Sequence, residues 1–248
     1  NTGGASRLVN VSTRGLVRAG DALTPGFVMR GVGTKSVLVR AIGPTLGLFG
    51  VTDALSDPRM DLIRLGESAA LLTNDDWAVG RPLRDAFAAA GAFPLAENGS
   101  KDAALVASLA ATGSSGYTVR ISAAGAASAA ATGIALAEVY DLEPLTAPVR
   151  LINVSTLGFA GTGADGLTPG FVIGGTAPKL LLVRVVGPAL AQPPFGVGGV
   201  LADPQLTVTP LGKTFTIAAN NDWGDNGQSP LLQAAFLSAG AFALPAGS

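Results

Sequence analysis

The sequence predicts an all-β fold built as tandem β-sandwich domains of jelly-roll or immunoglobulin-like type, each with one short helix. Three observations predict it. The chain is written nearly twice. Its short apolar runs are separated by Gly and Pro turn signals, the pattern of a sandwich rather than a parallel sheet. In each copy one segment breaks this pattern, with proline at its start and glycine just past its end.

The duplication is direct. Arg7-Leu8-Val9-Asn10-Val11-Ser12-Thr13 returns as Arg150-Leu151-Ile152-Asn153-Val154-Ser155-Thr156, and Leu23-Thr24-Pro25-Gly26-Phe27-Val28 as Leu167-Thr168-Pro169-Gly170-Phe171-Val172. Asn74-Asp75-Asp76-Trp77 matches Asn220-Asn221-Asp222-Trp223, and Ala90-Gly91-Ala92-Phe93 matches Ala239-Gly240-Ala241-Phe242. The offset grows from 143 at Asn10/Asn153 to 149 at Gly91/Gly240, so insertions fall between matched blocks. That spacing is domain-sized, far above solenoid periods. Residues 1–145 therefore read as a complete repeat, and residues 146–248 as a second copy without a counterpart of Asp102–Leu142. A longer natural protein, or strands from another molecule, is expected to complete it.

Taken in order, Leu8–Val17, Gly26–Met29, Ser36–Ile42, Met60–Leu65, Ala69–Thr73, Ala103–Leu109, Tyr117–Ser122 and Gly133–Tyr140 are the strands of the first copy. Tyr117, Val119 and Ile121 alternate with Thr118, Arg120 and Ser122, the period of a half-buried strand. Thr24-Pro25-Gly26 and Thr168-Pro169-Gly170 fit type II turns. Gly31-Val32-Gly33-Thr34-Lys35-Ser36 reads as a hairpin turn, since the spacing of a phosphate loop is not met. Pro82–Ala90 and Pro230–Ala239 are the helices, closed by Gly91 and Gly240, with Ser229 placed to cap the second. Leu142–Thr146 is the expected joint between repeats, stiff and head-to-tail.

Composition narrows function by exclusion. Net charge is −1 with dispersed Lys and Arg, without the basic footprint of a nucleic-acid binder. No apolar run is continuous enough for a transmembrane helix. There is no histidine and no cysteine, which removes histidine- and thiol-based catalysis and metal sites. The expected class is therefore not an enzyme. Hydrophobic residues reach 48% against 13% charged. Abundant alanine explains this, as does apolar surface covered by neighbouring repeats.

Two features could carry chemistry. Asn74, Asp75 and Asp76, and in the second copy Asn220, Asn221, Asp222, Asp225 and Asn226, gather the oxygen ligands that calcium needs, without EF-hand spacing. The alternative is an Asx turn that bonds local backbone while Trp77 and Trp223 plug the core edge. No other cofactor is implied. Arg40 and Arg184 lie inside apolar strands; facing inward they demand carboxylates, Glu138 or Asp76 for Arg40, and facing outward they demand none. The formal glycosylation sequons at Asn10, Asn98 and Asn153 read as chance.

The blocks Arg7–Gly15, Leu38-Val39-Arg40-Ala41-Ile42-Gly43-Pro44, Asn74–Trp77 and Ala137-Glu138-Val139-Tyr140-Asp141-Leu142 resemble repeats of large secreted or surface proteins of environmental bacteria. Asn74–Leu142 is also similar to bacterial prepeptidase-C-terminal-type β-sandwich domains. The resemblance implies an extracellular setting and a non-catalytic, modular role. The expected function is that of a structural or adhesive repeat protein, its partners other copies of itself or neighbouring repeats, forming a fibre head-to-tail by strand complementation. The alternative is an accessory module of a secreted enzyme that binds surface polysaccharide.

Overall fold

The computed structural model describes residues 6–97, 99–125, 131–224 and 229–245. The chain divides into two compact units, Asn1–Lys179 and Leu180–Ser248, so the units do not follow the repeat boundary near residue 145. The first is β-rich, while the second holds two short strands and one α-helix among its described residues, and no helix among the described residues is long and apolar enough to cross a membrane.

The first unit holds β1 (Arg7–Val17), β2 (Thr24–Ile42), β3 (Pro58–Arg64), β4 (Ala70–Asn74), α1 (Arg81–Ala90), β5 (Ala103–Ala123), β6 (Gly133–Asp141), β7 (Arg150–Leu157) and β8 (Thr168–Gly174). The strands run β4-β3-β5-β2-β6-β1-β7, with β8 also on β1 and β7 also on β2. That last pairing closes the sheet on itself as a barrel, where stacked separate sheets were expected.

The strands are longer than the turn signals suggest. β2 and β5 pair continuously from Gly26/Thr118 to Ala41/Ala103. Gly31–Ser36, expected to be a hairpin turn, thus runs through the middle of β2. Gly31 is there for space: it has φ +137°, and a Cβ would lie 2.6 Å from the Pro148 carbonyl oxygen where the chain enters β7. Thr24-Pro25-Gly26 is likewise strand, not turn, and Gly26 is outside the positive-φ glycines.

The last stretch of β2, residues 37–42, is buried on both faces, which is why it reads as a nearly unbroken apolar run. Val37, Val39 and Ala41 point into the barrel with Phe27, Leu62, Tyr117 and Val119. Leu38 and Ile42 point the other way, onto a second cluster with Trp77, Phe87, Leu95 and Ile134. Helix α1 supplies Phe87 to that cluster. Pro82 lies in its first turn and Gly91 closes it in the left-handed conformation, donating to Ala88 and Phe87, as the sequence predicts.

The barrel is closed by strands of the second copy, and the exchange is reciprocal. β1, the first strand of copy one, pairs with β8, with Asn10 opposite Val172 and Ser12 opposite Gly170. β7, the first strand of copy two, pairs with β2, with Asn153 opposite Val28 and Ser155 opposite Gly26. These registers are the same under the repeat offset, and so are the bulges beside Val9 and Ile152. Residues that correspond by repeat also meet each other: Leu8 pairs with Leu151, the Thr13 and Thr156 hydroxyls are 2.6 Å apart, and Leu16 bridges Phe159. Residues 7–30 and 150–174 are thus related by a pseudo-two-fold, an isologous joint inside one chain. The shared Thr-Pro-Gly block acquires a reason: a Cβ on Gly170 would stand 2.7 Å from Ser12 Oγ, and one on Gly26 3.2 Å from Ser155 Oγ. Residues 142–146, expected to join separate domains head-to-tail, lie inside this unit, with the Ala147 N–H donating to the Pro144 carbonyl.

The second unit contains the hairpin of β9 (Leu206–Val208) and β10 (Ala218–Asn220), and α2 (Ser229–Ala239). The hairpin keeps the register of β3 with β4. Leu180–Val186, expected as a strand, has no regular structure. Its counterpart in β2 is held between β5 and β6, and this sequence carries no second copy of those strands. Val183 and Val185 are accordingly 44% and 37% exposed, where Val39 and Ala41 are fully buried.

Candidate functional site

The most constrained polar chemistry lies on the outer face of β2, under α1. Alternation along the strand sends Arg40 to the same side as Leu38 and Ile42, and its side chain is fully buried. The register of β2 with β6 places Glu138 directly opposite. Arg40 Nε donates to Glu138 Oε2 at 2.8 Å, Nη2 to the same oxygen, and Nη1 to the Phe93 carbonyl. Glu138 Oε1 accepts from the Tyr140 hydroxyl at 2.9 Å. The rings of Phe93, Phe87 and Tyr140 surround the guanidinium, their centroids 4.4, 5.1 and 5.6 Å away. Burial, with the Glu138 charge beside it, pushes the Tyr140 phenol well above its ordinary range. Of the two carboxylates offered by the sequence, Glu138 holds Arg40, and Asp76 pairs with Lys101 at 2.9 Å.

Further along β2, Lys35 is also fully buried, with Nζ 2.7 and 2.8 Å from the two oxygens of Asp141 and 3.2 Å from Glu143. Sequence reasoning missed this triad, although Lys35 recurs as Lys179. It also missed Asp102, a fully buried carboxylate that accepts from the backbone N–H groups of Gly43 and Thr45 and from the hydroxyls of Thr45 and Ser100. One signal was legible, an aspartate heading an apolar strand. These are buried groups with satisfied partners, a fastening between β2, β6 and the loops rather than an open reaction centre.

The acidic loops differ between copies. Asn74 accepts from the Ala104 N–H at 2.9 Å and donates to the Asp76 carbonyl at 3.0 Å, an Asx-type turn that pins β4 to β5. Asp75 and Asp76 stand near enough to Asp57 to raise its pKa further, burial being the main cause and Lys101 opposing. Trp77 is buried against Phe87 and donates from its ring nitrogen to the Ala96 carbonyl. In copy two Asn220 repeats the turn onto the Asp222 carbonyl, and Asn221 donates to the Asp222 carboxylate at 3.2 Å. Asn220, Asn221 and Asp222 line an open cleft of about 310 Å³ with Gln205, Leu206 and Thr207. Asp225 and Asn226 lie outside the described residues. Among the described residues no three acidic side chains converge on one point.

Arg184 repeats half of the Arg40 arrangement. Its Nη1 donates to the Phe242 carbonyl at 2.6 Å, and the rings of Phe242 and Phe236 flank it at 4.6 and 4.8 Å. These are the counterparts of Phe93 and Phe87. Among the described residues no carboxylate lies within ion-pair distance of Arg184, and partial burial holds its pKa below the ordinary value. No family model, no curated protein and no solved structure matches this chain.

Proposed function

We propose that the chain is a non-catalytic, extracellular structural repeat protein whose repeats are fastened by strand complementation and assemble into larger structures with copies of themselves. One observation carries this reading: β1 and β7, the equivalent first strands of the two copies, are each paired to the second strand of the other copy in the same register. A chain organised this way gives pairing edges to its neighbour and takes edges from it. The buried ion pairs of β2 and β6 support a mechanical role, since each partner is desolvated and fixed. The isologous joint couples two repeats and then stops, so growth into a fibre uses a different surface, the uncovered strand faces of the second copy. Adhesion at a cell surface belongs to the same reading. Calcium is proposed for the copy-two loop alone, where Asn221 and Asp222 face an open cleft, while Asn74 and Asp76 are engaged by Ala104 and Lys101.

Electron microscopy of the native protein, with mass measured across a concentration series, tests the reading. Regular end-to-end assemblies that lengthen with concentration are expected. Monodisperse single chains at every concentration would overturn it.

A further inference from the structure

Arg40 and Arg184 occupy corresponding positions, and their surroundings correspond as far as the second copy reaches. Each guanidinium donates one Nη to a loop carbonyl, Phe93 or Phe242. Each is flanked by that residue's ring and by a helix phenylalanine, Phe87 or Phe236. The supports recur too. Trp77 packs on Phe87 and donates to Ala96, and Trp223 packs on Phe236 and donates to Pro245. Phe49 packs on Phe93, and Phe195 on Phe242. What copy one has in addition is β6, which brings Glu138 to the Nε–Nη2 edge of Arg40 and lays Tyr140 over it. Around Arg184 that edge has no carboxylate among the described residues, and the segment carrying it has Val183 and Val185 uncovered.

We infer that Arg184 is a preformed socket for a strand-borne carboxylate, and that its occupant is a β-strand with the glutamate–x–tyrosine pattern of Glu138-Val139-Tyr140 added alongside Leu181–Val186. The inference deepens the proposed function, on which it rests, by naming what the uncovered face recognises. Charge selects the occupant and fixes its register. A fork of Nε and Nη2 takes one carboxylate oxygen in one position, and a slip by one residue would turn the glutamate to the other face of the strand. A strand that covers Arg184 without a carboxylate would bury an unpaired cation, which is strongly unfavourable.

The test is the full chain extended after Ser248 by a second copy of residues 102–143, compared with the same extension carrying Glu138→Gln. Hydrogen exchange across Leu181–Val186 is the readout, and the unextended chain is the reference. Protection of these amides in the extended chain is expected, weakened about a hundredfold by the glutamine, the factor that breaking one buried pair carries. Arg184→Gln in the extended chain should give the same loss, and the two changes together should cost little more than either. Equal protection with glutamate and glutamine, or strictly additive losses, would overturn the socket. So would protection that rises with concentration in the unextended chain and survives Arg184→Gln, because the face would then be covered without the socket. Microscopy of the unextended chain reads the assembly proposal separately, so either idea can fail alone.

Discussion

Replacing Glu138 by glutamine keeps the shape of the side chain and one acceptor oxygen but removes the charge facing Arg40. The Arg40 side chain is fully buried, and two of its three hydrogen bonds go to one oxygen of Glu138. Its remaining neighbours are three rings and one carbonyl, so water cannot replace the lost charge. Removing one partner of such a pair costs about 3–5 kcal/mol. Glutamine retains an acceptor, which puts the expected loss near the lower figure, about 3 kcal/mol. For a folding unit of this size that corresponds to roughly 6–12 °C in Tm. Urea titration followed by Trp77 fluorescence in a Trp223→Phe background reads the first unit alone, because the chain has only these two tryptophans. Trp77 packs 5.5 Å from Phe87, the ring beside Arg40. The midpoint should fall with little change in m-value. The double variant Arg40→Met with Glu138→Leu removes both charges and should recover most of the loss. A loss below about 1 kcal/mol for Glu138→Gln, the range of exposed pairs, would refute the claim that this site is desolvated and fastens β2 to β6.

Other outcomes follow from the same geometry. Gly31→Ala should destabilise the first unit by about 2–4 kcal/mol, from strain at positive φ and overlap with Pro148; Gly20→Ala, at φ +74° with open space around it, should cost only about 1 kcal/mol. In a Tyr117→Phe background, ultraviolet titration should show no phenolate from Tyr140 near pH 10 in the folded protein, since its pKa is raised. The unfolded chain releases that proton first, so this contribution to stability is whole below about pH 10 and declines as pH rises above it. Millimolar calcium should raise the thermal midpoint of the second unit, and Asn221→Ala with Asp222→Ala should abolish the rise; an unchanged midpoint in calorimetry would remove calcium from the account.

What could be read from the sequence was local or repeated. Pro82 and Gly91 mark α1 because proline fits a first turn and glycine a left-handed close, both properties of the residue itself. The apolar run at residues 37–42 announces burial, whereas Arg40 inside it could face inward and paired or outward and free until the structure shows it buried. Partner identity was less legible. Glu138 is one of two candidates until register puts it opposite Arg40. The exchange of β1 and β7 was illegible, because strand periodicity tells which face is apolar and not which strand lies alongside. Gly26 and Gly31 were misread for the same reason: glycine serves tight turns and close approaches alike, and the atoms that approach them, Ser155 Oγ and the Pro148 carbonyl, come from over a hundred residues away. In the acidic loops, composition could not reveal that the Asn74 carbonyl is already spent on the Ala104 N–H.

The reciprocal exchange of strands is tested most directly by a disulfide across its pseudo-two-fold. The chain has no cysteine, so Thr13→Cys with Thr156→Cys introduces the only two thiols. The native hydroxyls are 2.6 Å apart, which brings the positions within reach of a bond whose β-carbons stand about 3.5–4.5 Å apart. Mild oxidation of the folded, dilute protein should consume both thiols within single chains, giving one reducible, monomeric species by mass and non-reducing electrophoresis. Thiols that stay free, or that link only between chains, would contradict the exchange.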